Sequence, residues 1–93
     1  MKTIVIDGAM MLTRDAAHDY LSVRLGLPDY YGRNLDGLYD LLTERSEPTR
    51  LVIYRRWDLV AALGPYGDSL LEAITDAGRN NPTLEVCFDE DGE

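Results

Sequence analysis

Asp36, Asp40 and Glu44 recur at every fourth position in a stretch whose leucines, Leu35, Leu38, Leu41 and Leu42, keep the opposite phase. At about 100° per residue, a helix through this stretch turns the leucines inward. It gathers Asp36, Tyr39, Asp40, Thr43, Glu44 and, if it runs far enough, Glu47 on the other side. Like charges at i and i+4 repel, each pair costing a helix roughly 0.2–0.5 kcal/mol, so helix stability does not account for the stripe. Asp36 alone has a structural use, because an acid in a first turn gains from the helix dipole. Asp40 lies mid-helix and has none. With Tyr30, Tyr31 and Tyr39 beside them, the acids form the mixture of aromatic and charged groups found at protein interfaces. The chemistry open to such a face is to occupy a site lined with cations.

Catalysis has less to stand on. Asp36 and Asp40 could be drawn as an acid/base pair, or with Glu44 as a divalent-cation site, but no nucleophile accompanies them. His18 reads as a surface or boundary histidine on a first helix, Cys87 as a small buried hydrophobe in a strand, and Ser69 as a helix cap. Trp57 reads as a partly buried anchor, and Gly64-Pro65-Tyr66-Gly67 as a turn. A single Cys and a single His can form neither an internal disulfide nor a thiolate/imidazole zinc site. No catalytic residue, cofactor or metal is expected.

The chain has 93 residues, with 9 basic and 17 acidic side chains and a net charge of −8. That length suits one small domain, residues 1–93, below the ~100–150 typical of a domain. The charge disfavours direct contact with a phosphate backbone. Half of the acidic excess falls at the end, Asp89, Glu90, Asp91 and Glu93, expected as a frayed tail. No apolar run approaches the ~18 residues that would suggest a membrane span. The start, Met1 to Asp7, lacks the pattern of a secretory signal, so a cytoplasmic protein is expected.

Three β-branched runs, Thr3–Ile6, Leu51–Tyr54 and Leu84–Phe88, are nearly continuous in apolar residues, as in parallel strands buried on both faces. Helical patterns separate them. Thr13 is a plausible N-cap for a first helix ended by Gly26-Leu27-Pro28. Asn34 caps a second running to about Arg45. A short helix covers Trp57 to Leu63. A last one begins around Asp68 or Ser69, where Ser69-Leu70-Leu71-Glu72 fits a capping box, with Leu70, Leu71, Ile74 and Ala77 inward, and ends by Asn80-Asn81-Pro82. The order is that of a small α/β domain with a three-stranded parallel sheet.

The run Leu27-Pro28-Asp29-Tyr30-Tyr31-Gly32-Arg33-Asn34-Leu35-Asp36-Gly37-Leu38-Tyr39-Asp40-Leu41-Leu42-Thr43 resembles the barstar family of intracellular ribonuclease inhibitors. The resemblance implies a three-stranded parallel sheet with helices packed on it, and a second helix and preceding loop that plug the active site of a secreted microbial ribonuclease. Tyr30, Asn34, Asp36, Tyr39, Asp40 and Thr43 match the family's inhibitory segment, and Asp76 matches an acidic position on the last helix. Departures are Tyr39 for Trp, Gly37 for Ala, Glu44-Arg45 for a Gly-Trp pair and Asp76 for Glu. Arg45 sets a cation beside the stripe, which a basic enzyme would not favour.

The partner-binding set expected is therefore Tyr30, Asn34, Asp36, Gly37, Tyr39, Asp40, Thr43, Glu44 and Asp76. The function expected is inhibition, without catalysis, of a secreted guanyl-preferring ribonuclease by a chain that is monomeric when free and forms a 1:1 complex, with no nucleic-acid or membrane partner. The alternative is an acidic interaction module that binds some other basic protein.

Overall fold

The computed structural model describes residues 1–89. Three parallel strands, β1 (Lys2–Asp7), β2 (Thr49–Tyr54) and β3 (Leu84–Asp89), lie in the order β1-β2-β3. Ile4 sits opposite Leu51, and Leu51 opposite Val86. Between the first two strands run a short 3₁₀ turn, α1 (Arg14–Leu25) and α2 (Leu35–Thr43). Between β2 and β3 run α3 (Arg56–Leu63) and α4 (Pro65–Asn80). The α/β architecture read from the sequence is the one observed. Among the described residues, no helix is long and apolar enough to cross a membrane.

The strands differ from expectation in one respect. Burial alternates along β1 and β2: Ile4, Ile6, Leu51 and Ile53 are fully buried against the helices, while Val5 and Val52 are only half-buried. Cys87 lies abreast of Val52 on this second face, its thiol donating to Glu85 Oε2 at 3.4 Å. It is not the buried hydrophobe its position suggested. Continuous apolar sequence therefore did not mean two covered faces. Asp89, expected in the frayed tail, is the last residue of β3 and pairs in register with Tyr54. The remaining tail, 90–93, lies outside the described residues.

Local chemistry explains most element ends. Thr13 Oγ1 accepts from the Ala16 amide at 3.0 Å, and Asn34 Oδ1 accepts from the Gly37 amide at 2.6 Å, so both expected N-caps are made. Gly26 closes α1 in the left-handed region at φ 63°, with Leu27 N–H donating back to Ser22 at 2.9 Å. Helix α4 begins four residues before the expected capping box. Pro65 occupies its first turn, where a missing N–H costs nothing, and Gly64, at φ 58°, turns the chain into it. The segment read as a turn is thus the start of a helix. Trp57, expected as an anchor, is 54% exposed.

The sheet's C-terminal edge is tight. A Cβ on Gly8 would lie 2.2 Å from the Arg55 carbonyl oxygen, whereas one on Gly26 would meet nothing within 4 Å. Gly8→Ala is therefore expected to lower the unfolding free energy by about 1–3 kcal/mol through overpacking. Gly26→Ala should cost about 1 kcal/mol, from backbone strain alone. Urea denaturation of both variants checks the ranking, and a Gly8 variant as stable as wild type would mean that the two backbones part easily.

Candidate functional site

Helix α2 is held from both ends and from below. Leu38 and Leu42 are wholly buried in the core that α2 shares with α4. At the N-terminus, Asn34 bonds Gly37 N–H and donates from Nδ2 to the Gly32 carbonyl at 3.3 Å. At the C-terminus, the buried Asn81 donates to the Leu42 and Arg45 carbonyls, each at 2.8 Å. Both carbonyls lie at or just past the last turn, and that of Arg45 also accepts from Thr83 Oγ1 at 2.9 Å. The helix stops at Thr43, so Glu47 is not part of its face.

The outward side carries Asp36, Asp40 and Glu44, all exposed. Among the described residues none of the three has an ion-pair partner, whereas Asp7, Asp15, Asp19, Glu47, Asp76 and Glu85 all do. Glu44 caps a helix whose last turn has no basic residue, a position where the dipole disfavours an anion. Beside Asp40 and Glu44 runs a shallow groove of about 220 Å³, lined by Tyr30, Tyr31, Gly32, Gly37, Asp40, Leu41 and Glu44. Gly37 floors it; a Cβ there would come within 3.1 Å of Asn34 Oδ1. Tyr30 is 80% exposed, a large aromatic left in water beside an acidic helix.

The remaining expected residues are placed less simply. Asn34 and Asp36 line a second, more open cleft of about 480 Å³ with Arg14, Asp15, His18, Arg33, Leu35 and Tyr66. Thr43 Oγ1 donates back to the Asp40 carbonyl at 2.9 Å. Tyr39 is half-buried, its hydroxyl accepting from Asn80 Nδ2 at 2.8 Å, so it leans onto the last turn of α4. Asp76, one turn earlier on α4, was expected as an exposed acid. Its side chain is 40% exposed and ion-paired with Arg79 at 2.8 Å, which reduces the charge it offers.

Arg45 is not the surface cation the sequence suggested. Only 16% of its side chain is exposed. Its Nε donates to Thr49 Oγ1 at 2.8 Å, Nη1 donates to the Leu25 carbonyl at 3.1 Å, and Glu47 lies 3.4 Å from Nη2. The cation is turned inward, satisfying a carbonyl at the end of α1.

Tyr31 is buried at 8% exposure and belongs to the core rather than to the aromatic edge of the face. It leads to a cluster that sequence reasoning missed. His18, also buried, sits between two hydroxyls, with Nδ1 2.5 Å from Tyr31 Oη and Nε2 2.6 Å from Tyr66 Oη. One ring nitrogen donates and the other accepts in the neutral imidazole. The cluster ties α1 to the loop before α2 and to α4. Positions 18, 31 and 66 share no sequence spacing that would have announced it.

The chain matches the family described as Barstar (barnase inhibitor) over residues 1–89. It belongs to the barstar family. It is also 38% identical, over 78 residues, to the Bacillus subtilis (strain 168) protein named "Putative ribonuclease inhibitor YrdF"; the alignment covers 83% of this chain and 86% of that one. The match to the barstar family takes in both grooves, α2 and Asp76.

Burial and the cations Arg33 and Arg14 push the His18 imidazole below its ordinary value of 6.5, against the weaker opposing pull of Asp15 and Asp19. Between that lowered value and 6.5 the unfolded chain binds a proton that the folded chain does not, so stability falls as pH drops through the window and levels off below it. Tyr31 acts in the other direction. Burial, then the neighbouring Tyr66, raises its hydroxyl to about 12, so its contribution is lost as pH rises from 10 through that value. Urea unfolding at pH about 7.5 and about 5.5 should show the acid-side loss in wild type and a shallower loss in His18→Gln. Equal slopes would remove His18 as the source.

Proposed function

We propose that this chain inhibits a secreted guanyl-preferring ribonuclease by seating α2 and the loop before it in the enzyme's active site, in a one-to-one complex. Membership of the barstar family makes it a binding protein and not an enzyme. The observation that carries the reading is the unpaired acidic stripe. Among the described residues Asp36, Asp40 and Glu44 form no ion pair and stand exposed one turn apart on α2; Asp29, Asp58, Asp68 and Glu72 are likewise without one, but none of them lines the groove that Asp40 and Glu44 share with Tyr30. Each like-charged i, i+4 pair costs roughly 0.2–0.5 kcal/mol. A cationic partner offsets that cost.

Ribonuclease sites hold a phosphodiester with cations, and carboxylates on a fixed helix can occupy the same positions without offering a bond to cleave. Tyr30, Asn34, Asp36, Gly37, Tyr39, Asp40, Thr43, Glu44 and Asp76 form the proposed contact set. The groove beside Asp40, with exposed Tyr30 on its wall, gives the enzyme an aromatic surface to pack against. Tyr39 and Asp76 would contribute from the α4 edge. The inhibitor would be monomeric when free, act in the cytoplasm on enzyme made in the same cell, and touch neither nucleic acid nor membrane. Among the described residues, no three His, Cys, Asp or Glu side chains are grouped so as to hold a metal ion. The i, i+4, i+8 acids spread along the helix rather than converge.

Stoichiometric titration of ribonuclease activity tests the reading against the alternative of a module for some other basic protein. Full loss of activity at one equivalent supports inhibition, and binding without loss of activity supports the alternative. Asp40→Asn should weaken inhibition by at least about 2 kcal/mol, because the enzyme's cations then lose a desolvated partner. Its melting temperature should hold or rise slightly as helix repulsion is relieved. Asp58→Asn on α3 serves as the control; Asp19 is unsuitable because it pairs with Arg33. Affinity and melting temperature falling together would mark Asp40 as structural.

Raising ionic strength from low to physiological should slow association markedly and change dissociation less, since screening acts on the long-range approach of opposite charges. Stopped-flow association rates check this. A rate indifferent to salt would indicate an apolar interface.

A further inference from the structure

We propose that Arg33 is a positioning residue, tying the segment between α1 and α2 to α1 so that Tyr30 and Asn34 stand ready for the partner. This rests on the reading of α2 and its preceding loop as the partner-binding face. Residues 26–34 contain no helix or strand. The backbone bonds of the segment are short-range: Leu27 N–H to Ser22, Gly26 N–H to Val23, Tyr31 N–H to the Pro28 carbonyl at 3.0 Å, and the Asn34 carbonyl accepting from Leu38 N–H as α2 begins. Two side chains tie it to α1. Tyr31 does so from within, through His18. Arg33 does so from outside, bonding Asp19 through Nη1 and approaching Asp15 through Nη2, 3.6 Å from Oδ1 and 3.4 Å from the backbone carbonyl.

Arg33 is an unusual residue for its place. Its φ is 55°, in the left-handed region, where a long side chain is uncommon and glycine or asparagine sits with less strain. The backbone thus gains nothing from an arginine. Its side chain gains two carboxylates, and the hydrogen bond to Asp19, ahead of every other influence, holds the guanidinium in its charged form. The residue stands between Gly32, which lines the groove beside Asp40, and Asn34, whose amide caps α2. Fixing Arg33 fixes the direction in which the chain enters the acidic helix.

Such exposed ion pairs contribute little to global stability. Their leverage is local. A segment without ladder bonds samples other arrangements, and measured affinity falls in proportion to the fraction of molecules in the competent one. A weak tie can therefore leave the melting temperature unchanged and still set affinity.

The test uses Arg33→Asn, Asp19→Asn and the double variant, asparagine at 33 being chosen because it accepts the left-handed backbone. With barnase as the probe, each single variant should weaken affinity about 3- to 10-fold, mostly through slower association as fewer free molecules are competent, and the double variant no further. Simple charge effects predict otherwise: removing a cation and removing an anion should move affinity for a basic enzyme in opposite directions. Opposite movements, or an additive double variant, would overturn the proposal, as would a melting temperature falling in step with affinity. In the free chain, amide exchange at Tyr31 should quicken by a similar factor in all three variants, with β2 amides unchanged. Unchanged Tyr31 exchange would overturn the tie whatever the partner. If wild type does not bind barnase, the inhibitory reading for that enzyme fails while the exchange result still decides the role of Arg33.

Discussion

The structure turns on the burial of Leu38 and Leu42 under an acidic helix. A short helix such as α2 does not hold its shape in water unaided, and this one carries repelling acids along its outer side and an anion at its C-terminal cap. Packing against α4 must offset all of that. Two side-chain amides finish the work: Asn34 satisfies the first turn and Asn81 the last carbonyls. Asn81 also accepts from the Thr83 amide at 3.0 Å, just before β3 begins. The end of α2 and the start of β3 therefore share one side chain, and the helix keeps its place only where the third strand is formed.

Paired and unpaired acids divide the labour on this surface. Several acids away from the stripe hold parts of the fold together: Asp7 faces Arg55, Glu85 faces Arg50 across neighbouring strands, and Glu47 helps to keep Arg45 inward. Among the described residues, the acids on α2 form no ion pair. Capping at Asn34 and Asn81 and the burial of Leu38 and Leu42 fix the backbone from which these carboxylates project. The inward turn of Arg45 takes its charge away from Glu44 and the C-terminal end of the stripe, while Arg33 and Arg14 remain in the cleft that Asp36 lines.

Much of the fold was legible because its signals are local. The caps Thr13 and Asn34, the closing glycine at 26 and the apolar runs of the strands depend on a few neighbouring residues each; the structure uses the caps and the glycine as read and forms the three strands, though with only one face fully covered. The stripe was legible for the same reason. What escaped reading depends on side-chain contacts, some between distant positions and some within a turn of helix. His18 looked like a surface residue because Tyr31 and Tyr66, its two partners, lie on a loop and another helix. Asp76 and Arg45 looked like free charges because their neighbours, the first nearby on its helix and the second spread across α1, β2 and the following loop, decide their orientation. Pro65 was taken for a turn residue because proline marks both turns and helix starts, and only the direction of the following chain separates the two.

Trp57 has a consequence for how the molecule can be observed. It is the chain's only tryptophan, it is half in water, and its ring lies under the Arg56 guanidinium, 4.7 Å from its centroid, with Phe88 at the same distance on β3. Helix α3, which carries it, packs on α4 and on the turn after β1, while the acidic helix lies elsewhere on α4. Its emission reports on the seam between α3 and β3. A partner seated on α2 would instead meet Tyr30 and Tyr39, so the tyrosines of this chain, or the chromophores of the other protein, carry the optical signal of that event.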